Sequence, residues 1–215
     1  MPRPSRNVDQ TLLNSGRELF PALGCSGLSL RLLADHAGVN VGMFHYHFKS
    51  KDNFLRTLLQ QMYDELFMQL QDEATHAGSD LQRLRQSLCL LGRLMREHGA
   101  WLGRVWADAG HNEPAALEFL HANGRRHVQL LLGLLDEAAR HGAVAPMPPM
   151  QRLTFLMGAV VAPMMIAPRA MQFGIAPPDI LAHLQTDVLS DRGIAERVDR
   201  ALHALKCPKE DLPHE

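Results

Sequence analysis

Cysteine is scarce in this chain of 215 residues: Cys25, Cys89 and Cys207 are odd in number and far apart. That argues against a disulfide scaffold and for a reducing compartment, the cytoplasm. Metal-ligand spacing is missing as well. There is no CxxC and no HxxxH, and His121 and His127 fall on different faces of any helix that holds both. His98, His111, His121 and His127, with Asp108 or Cys89 nearby in sequence, are therefore read as solvated or pocket-lining, with no metal and no cofactor. Glu113, in Asn112-Glu113-Pro114, has no nucleophile or base spaced around it, so no catalytic constellation supports an enzyme. Long apolar runs are few. The most apolar, Leu153 to Pro168, is short for a bilayer and carries Pro163 inside it. A buried helix is the expectation there, with no membrane partner. The opening "MPRPSRNVDQ" has no apolar stretch behind its arginines, so a secretory signal is not expected. Strand-type alternation, internal repeats and low-complexity tracts are also lacking.

Net charge is nearly absent at −1, but its distribution is uneven. Residues 1–56 hold seven bases against four acids, a balance of +3, and the rest of the chain balances to −4. A basic head on an acidic body points to a polyanionic partner for the head alone.

What is present is helical period throughout, and the fold class is all-α. Val8, Leu12, Leu19, Phe20 and Leu23 share one face of a first helix that Gly24 ends. Ser29 is positioned to cap a second helix that Gly38 stops, although Leu32 stands where Glu or Gln would complete a capping box. Asn40 caps a short third helix that buries Phe44 and Phe48 at i, i+4. Ser50 caps a long fourth helix carrying Phe54, Leu55, Leu58, Leu59, Met62 and Leu66 inward. Further helices follow from Leu81, from about Pro114 to His141, over roughly 150–167, and across 178–206 with a break at "SDRG". A break is also expected at "EHG", before Trp101.

The stretch "VNVGMFHYHFKSKDNFL", residues 39–55, is dense in aromatics and bases for a chain with so few aromatics. Two short helices joined by "AGVN" form a helix-turn-helix, whose second helix enters a major groove. With Phe44 and Phe48 inward, that helix turns Val41, Gly42, Met43, His45, Tyr46 and His47 outward. Lys51 adds its charge to the backbone N–H groups at the start of the fourth helix, a combination suited to phosphate.

From Thr11 to about Leu58 the chain resembles the DNA-binding domain of the tetracycline-repressor (TetR) family. The matching residues are "LLNSGRELFPALG" and "SLRLLADHAGVNVGMFHYHFKSKDNFL", with the spacing from Ala34 through Gly38-Val39, Gly42, His47-Phe48 and Lys51. The resemblance implies a three-helix DNA-binding domain, residues 1–56, running through the long fourth helix into a helical ligand-binding and dimerisation domain, residues 57–215. It implies that Ser29 lies near a phosphate, that Arg31 reaches a guanine edge, and that Val41, Gly42 and Met43 sit where bases are read. Tyr46 would pack on a thymine methyl or a sugar, and His45, His47 and Lys51 would meet the DNA backbone. Two residues depart from the family pattern: His45 stands where tyrosine is usual, and Met43 where threonine or a small residue is usual. Met43 donates no hydrogen bond, so readout there is apolar or by shape. Arg3 and Arg6 lie on a proline-containing arm that either enters a minor groove or is unstructured, the plainer reading.

By the same resemblance a ligand cavity lies among the helices after the fourth, with Met62, Leu66, Leu91, Trp101, Val105 and Trp106 as lining candidates for a small, largely apolar effector. One short recognition helix reads too few bases for a genome, so a homodimer on a palindromic operator of double-stranded DNA is expected. Val128, Leu132, Leu135, Gly158, Val161, Ala162 and Met165 are its candidate interface residues. The reading is thus a ligand-responsive regulator, a repressor first. The alternatives are an activator, a metal-responsive regulator, or a helical enzyme with an incidental helix-turn-helix.

Overall fold

The computed structural model describes residues 8–206, and among them every regular element is a helix. These are α1 (Val8–Gly27), α2 (Leu30–Ala37), α3 (Val41–Phe48), α4 (Lys51–Thr75), α5 (Asp80–Gly110), α6 (Pro114–Arg140), α7 (Pro149–Leu156), α8 (Ala162–Phe173), α9 (Pro178–His183) and α10 (Asp191–Ala204). Single π-turns, Met157–Val161 and Leu184–Val188, follow α7 and α9. Arg3, Arg6 and Cys207 lie outside the described residues.

The described residues gather into two compact units. One holds the chain up to Phe67 with Ala100–Arg125; the other holds Met68–Gly99 and the residues from Arg126 onward. Packing is therefore divided differently from the boundary expected at residue 56, because α4, α5 and α6 each contribute residues to both units.

In the first unit the short helices are defined by local chemistry. Ser29 caps α2 by accepting from the Leu32 N–H, and Asn40 caps α3 by accepting from the Gly42 N–H at 2.7 Å. Ser50 Oγ accepts from the Asn53 N–H at 3.2 Å and opens α4. Gly38 takes the left-handed conformation (φ 65°), and the Val39 N–H reaches back to the Ala34 carbonyl at 2.9 Å, closing α2 in a Schellman motif. An eight-residue helix is marginal alone, so α2 and α3 depend on their buried faces. Leu33 and Ala34 from α2 and Phe44 and Phe48 from α3 are buried with Leu12, Phe20, Phe54 and Leu58. The rings of Phe44, Phe48 and Phe54 meet at centroid distances of 5.0–5.5 Å. Truncating a ring packed like this costs about 3–5 kcal/mol.

The second unit has its own core, built from Leu84, Leu88, Leu131, Leu135, Leu153, Leu156, Val160, Met164, Ile194 and Val198 among others. Arg85 pairs with Asp199 at 2.6 Å, and the buried Arg152 donates to Asp136 at 2.8 Å and to the Leu135 carbonyl.

Three expectations need correction. No break occurs at "EHG": α5 runs unbroken for 31 residues, and Gly99 serves close packing, since a Cβ there would press on Met165 Sδ at 3.2 Å. Gly24 does break the first helix (φ 67°, ψ −170°), but a last helical turn follows it to Gly27. The apolar segment around Leu153 is longer than its sequence run. With the π-turn it forms one continuous helix, Pro149–Phe173, of 25 residues, long and apolar enough by length and composition to cross a membrane. One face of it nonetheless packs into the second unit's core through Leu153, Leu156, Val160, Met164 and Ala167. The π-turn stands where Pro163, with no N–H, interrupts the helical bonding, and the Ala162 N–H reaches five residues back to Met157.

Candidate nucleic-acid interface

The outward face of α3 carries Gly42, His45 and Tyr46, all exposed, with Val41, Met43 and His47 half-buried beside them. Tyr46 is 72% exposed, and its ring meets His47 edge-on at 5.1 Å. An exposed tyrosine next to a core this well filled is free to serve an external contact. Half of the aromatic stretch is therefore core and half is surface, as the i, i+4 spacing of Phe44 and Phe48 requires.

The flanking cations are held loosely. Arg31 projects from the first turn of α2 with its side chain 89% exposed, and its nearest acid, Asp35, lies 3.9 Å away. A pair this exposed contributes little and yields readily to a phosphate or a guanine edge. Ser29 is exposed, with its Oγ engaged in the cap. His45 is exposed, with Nδ1 3.5 Å from the Lys49 carbonyl. His47 is more enclosed than expected, for its Nε2 is shut from solvent and has no hydrogen-bond partner among the described residues. Lys51 is half-buried and donates to the Ser26 carbonyl at 3.2 Å, with two ammonium protons left over.

Sequence reasoning missed Lys49. It is exposed at the C-terminal end of α3 and holds a positive φ of 62° with ψ −45°. A non-glycine residue in that region is strained, and such strain collects at functional sites. The available signal was a second lysine beside Lys51 at the helix boundary.

The other candidate groups fare unevenly. Met62, Leu66, Trp101 and Val105 are buried in the first unit, where Trp101 and Tyr63 both pack on Phe119 at 6.1 and 5.7 Å. Leu91 belongs to the core of the second unit instead. Trp106 does not line the interior: it is 65% exposed, since one residue's rotation past Val105 turns it outward. Of the interface candidates, Gly158 is exposed, and Val128, Leu132, Val161, Ala162 and Met165 are half-buried. Leu135 is corrected, because it is fully enclosed in its own core and has no surface to offer a second chain.

Residues 12–58 match the family model described as bacterial regulatory proteins, tetR family. The chain is 31% identical over 137 residues to the HTH-type transcriptional repressor KstR2 of Mycobacterium tuberculosis, covering 63% of this chain and 68% of that protein. This chain belongs to the tetR family. KstR2 of Mycolicibacterium smegmatis is 24% identical over 146 residues, 67% of this chain and 70% of that one. The solved structure of the Mycobacterium tuberculosis ketosteroid transcriptional regulator KstR2 superimposes with a TM-score of 0.67, 17% identity, and coverage of 96% and 98%. At that identity the superposition speaks for the fold alone. TetR-family regulators bind DNA operators and small-molecule effectors, so the chain is a transcription regulator and not an enzyme.

Proposed function

We propose that the chain is a cytoplasmic repressor that holds a palindromic operator as a homodimer and is released by a largely apolar effector. The observation that carries this reading is the α3 face. Gly42, His45 and Tyr46 stand exposed above a rigid aromatic core, with Arg31, Lys49 and Lys51 around them. Residues up to about 56 are assigned to DNA and the rest to effector and partner. In that assignment Val41, Gly42, Met43 and Tyr46 read bases, Arg31 a guanine, and Ser29, His45, His47 and Lys51 the backbone.

The dimer reading is supported by the exposed face of the Pro149–Phe173 helix. Phe155, Ile166 and Phe173 are 44%, 64% and 69% exposed, with Gly158 on the surface between them. A large apolar face left to water is unusual and marks an association surface. On the duplex, the half-sites read by the two α3 helices of a dimer lie about 34 Å apart, on successive turns.

The effector reading rests on Met62, Leu66, Trp101 and Val105, an apolar and adaptable group on α4 and α5. The solved KstR2 is a ketosteroid transcriptional regulator, and a steroid skeleton is of matching apolar character. An effector entering among these side chains would part α4 from α5. Because α4 runs on to the DNA end at Lys51, such a displacement would alter the spacing of paired α3 helices and favour release.

The test is selection of bound sequences from a random duplex library, followed by a screen for compounds that release the winner. Recovery of an inverted repeat, bound more weakly as salt rises, is the expected result. Recovery of no preferred sequence refutes the repressor reading.

A further inference from the structure

The α1–α2 corner is gripped by a charged pair that the sequence places more than 80 residues away. At Gly24 the chain leaves helical geometry, so the Leu23 carbonyl and the Cys25 N–H on either side lose their helical partners. Both are taken up by one ion pair on α5. The Cys25 N–H donates to Asp108 Oδ2 at 2.7 Å, Arg104 donates to the Leu23 carbonyl at 3.1 Å, and Arg104 Nε donates to Asp108 Oδ1 at 2.9 Å. Asp108 is 3% exposed. A carboxylate buried this deeply is costly unless paired and hydrogen-bonded, and here it is both. Gly24 itself is required: a Cβ there would collide with the Arg104 guanidinium, and its φ is 67°. Burial, and next the Asp108 carboxylate, push the Cys25 thiol up to about 12, so it stays neutral and does not compete for the arginine.

We propose that Arg104 and Asp108 are positioning residues for DNA recognition: they fix the corner at Gly24 and thereby the angle at which α2 and α3 meet the duplex. The proposal rests on the reading of α3 as the DNA-contacting helix. A corner and not a flexible linker is what they hold, since Leu28 is fully buried and Ser29 already caps α2. Lys51 ties the same corner from the start of α4 through the Ser26 carbonyl. Val105 neighbours Arg104 on α5, so any effector that moves this part of α5 moves the grip with it.

The test uses the full-length protein and a duplex that the wild type has selected from a random library. Arg104→Ala is expected to weaken binding roughly tenfold, the cost when only about a tenth of the molecules hold the competent angle. The salt slope should stay unchanged, because no phosphate contact is lost. Asp108→Ala should weaken binding comparably in the wild-type background yet add little on top of Arg104→Ala, since both break one grip. Amide exchange at Cys25 and through residues 29–48 should quicken in the free Arg104→Ala protein. Wild-type affinity in both single variants overturns the proposal. So do strictly additive effects, or a loss that disappears on cooling to where each variant is wholly folded, which marks a structural role alone. If the wild type selects no duplex, the DNA-binding reading itself fails, and the proposal with it.

Discussion

Among the described residues, the α3 face and the outer face of the Pro149–Phe173 helix are both left to solvent, and they differ in kind. The α3 face shows a glycine, a histidine and a tyrosine with cations around them, while the face of the Pro149–Phe173 helix shows phenylalanines, an isoleucine and a glycine. The first has donors and charge to satisfy a polyanion and little apolar area to bury. The second offers a phosphate little beyond the exposed Arg169, but at about 25 cal/mol per Å² its apolar surface is worth covering. Exposure alone thus predicts no partner; the chemistry of what is exposed does.

The largest effect should come from the apolar face. Gly158→Arg meets no atom within 4 Å of the new Cβ in its own chain, so the protomer should fold normally. Sedimentation is expected to show monomers, and duplex affinity should fall at least roughly 100-fold as the second half-site is lost. A wild-type protein that is monomeric at micromolar concentration would break the comparison at this end.

Substitutions at the α3 end should separate two kinds of contact. Arg31→Ala should change which sequence is preferred, losing about 1–3 kcal/mol of discrimination at one base pair. Lys51→Ala should weaken all duplexes alike, by roughly 1–2 kcal/mol, with the salt slope reduced by about 1. Binding titrations on matched and mismatched duplexes at several salt concentrations distinguish the two. An unchanged salt slope for Lys51→Ala would remove it from the backbone contacts.

The smallest effect concerns strain. Lys49→Gly relieves a positive φ and should stabilise the fold by about 1 kcal/mol, read as a higher midpoint of thermal unfolding. Duplex affinity should nonetheless fall slightly, because a cation beside α3 is lost. Stabilisation with unchanged affinity would mean that Lys49 plays no part in binding.

The DNA end was the more legible in the sequence, and the reason is physical. Ser29, Gly38, Asn40 and Ser50 act on groups two to four residues away, so their roles follow from spacing. Phe44 and Phe48 sort inward by helical period, which leaves Tyr46 and His45 outward. The apolar helix was far less legible. Where nearly every residue is apolar, periodicity does not say which face is buried, and Phe155 and Ile166 read like Leu156 and Met164. Trp101 and Trp106 posed the same difficulty on α5, and Leu91 was grouped with residues of another unit because spacing carries no long-range information.

By itself the sequence determined the helical class, the caps and turns of the helix-turn-helix, and which aromatics of residues 39–55 form core and which form surface. Each of these is decided within a turn or two of the chain. Only the tertiary structure decided that Arg104 and Asp108 grip the corner at Gly24, that α5 passes unbroken through Gly99, and that Leu135 is enclosed while Phe155 is bare. Those outcomes depend on which distant side chains fill the same space, and a hydrogen bond between residues 83 apart leaves no local trace.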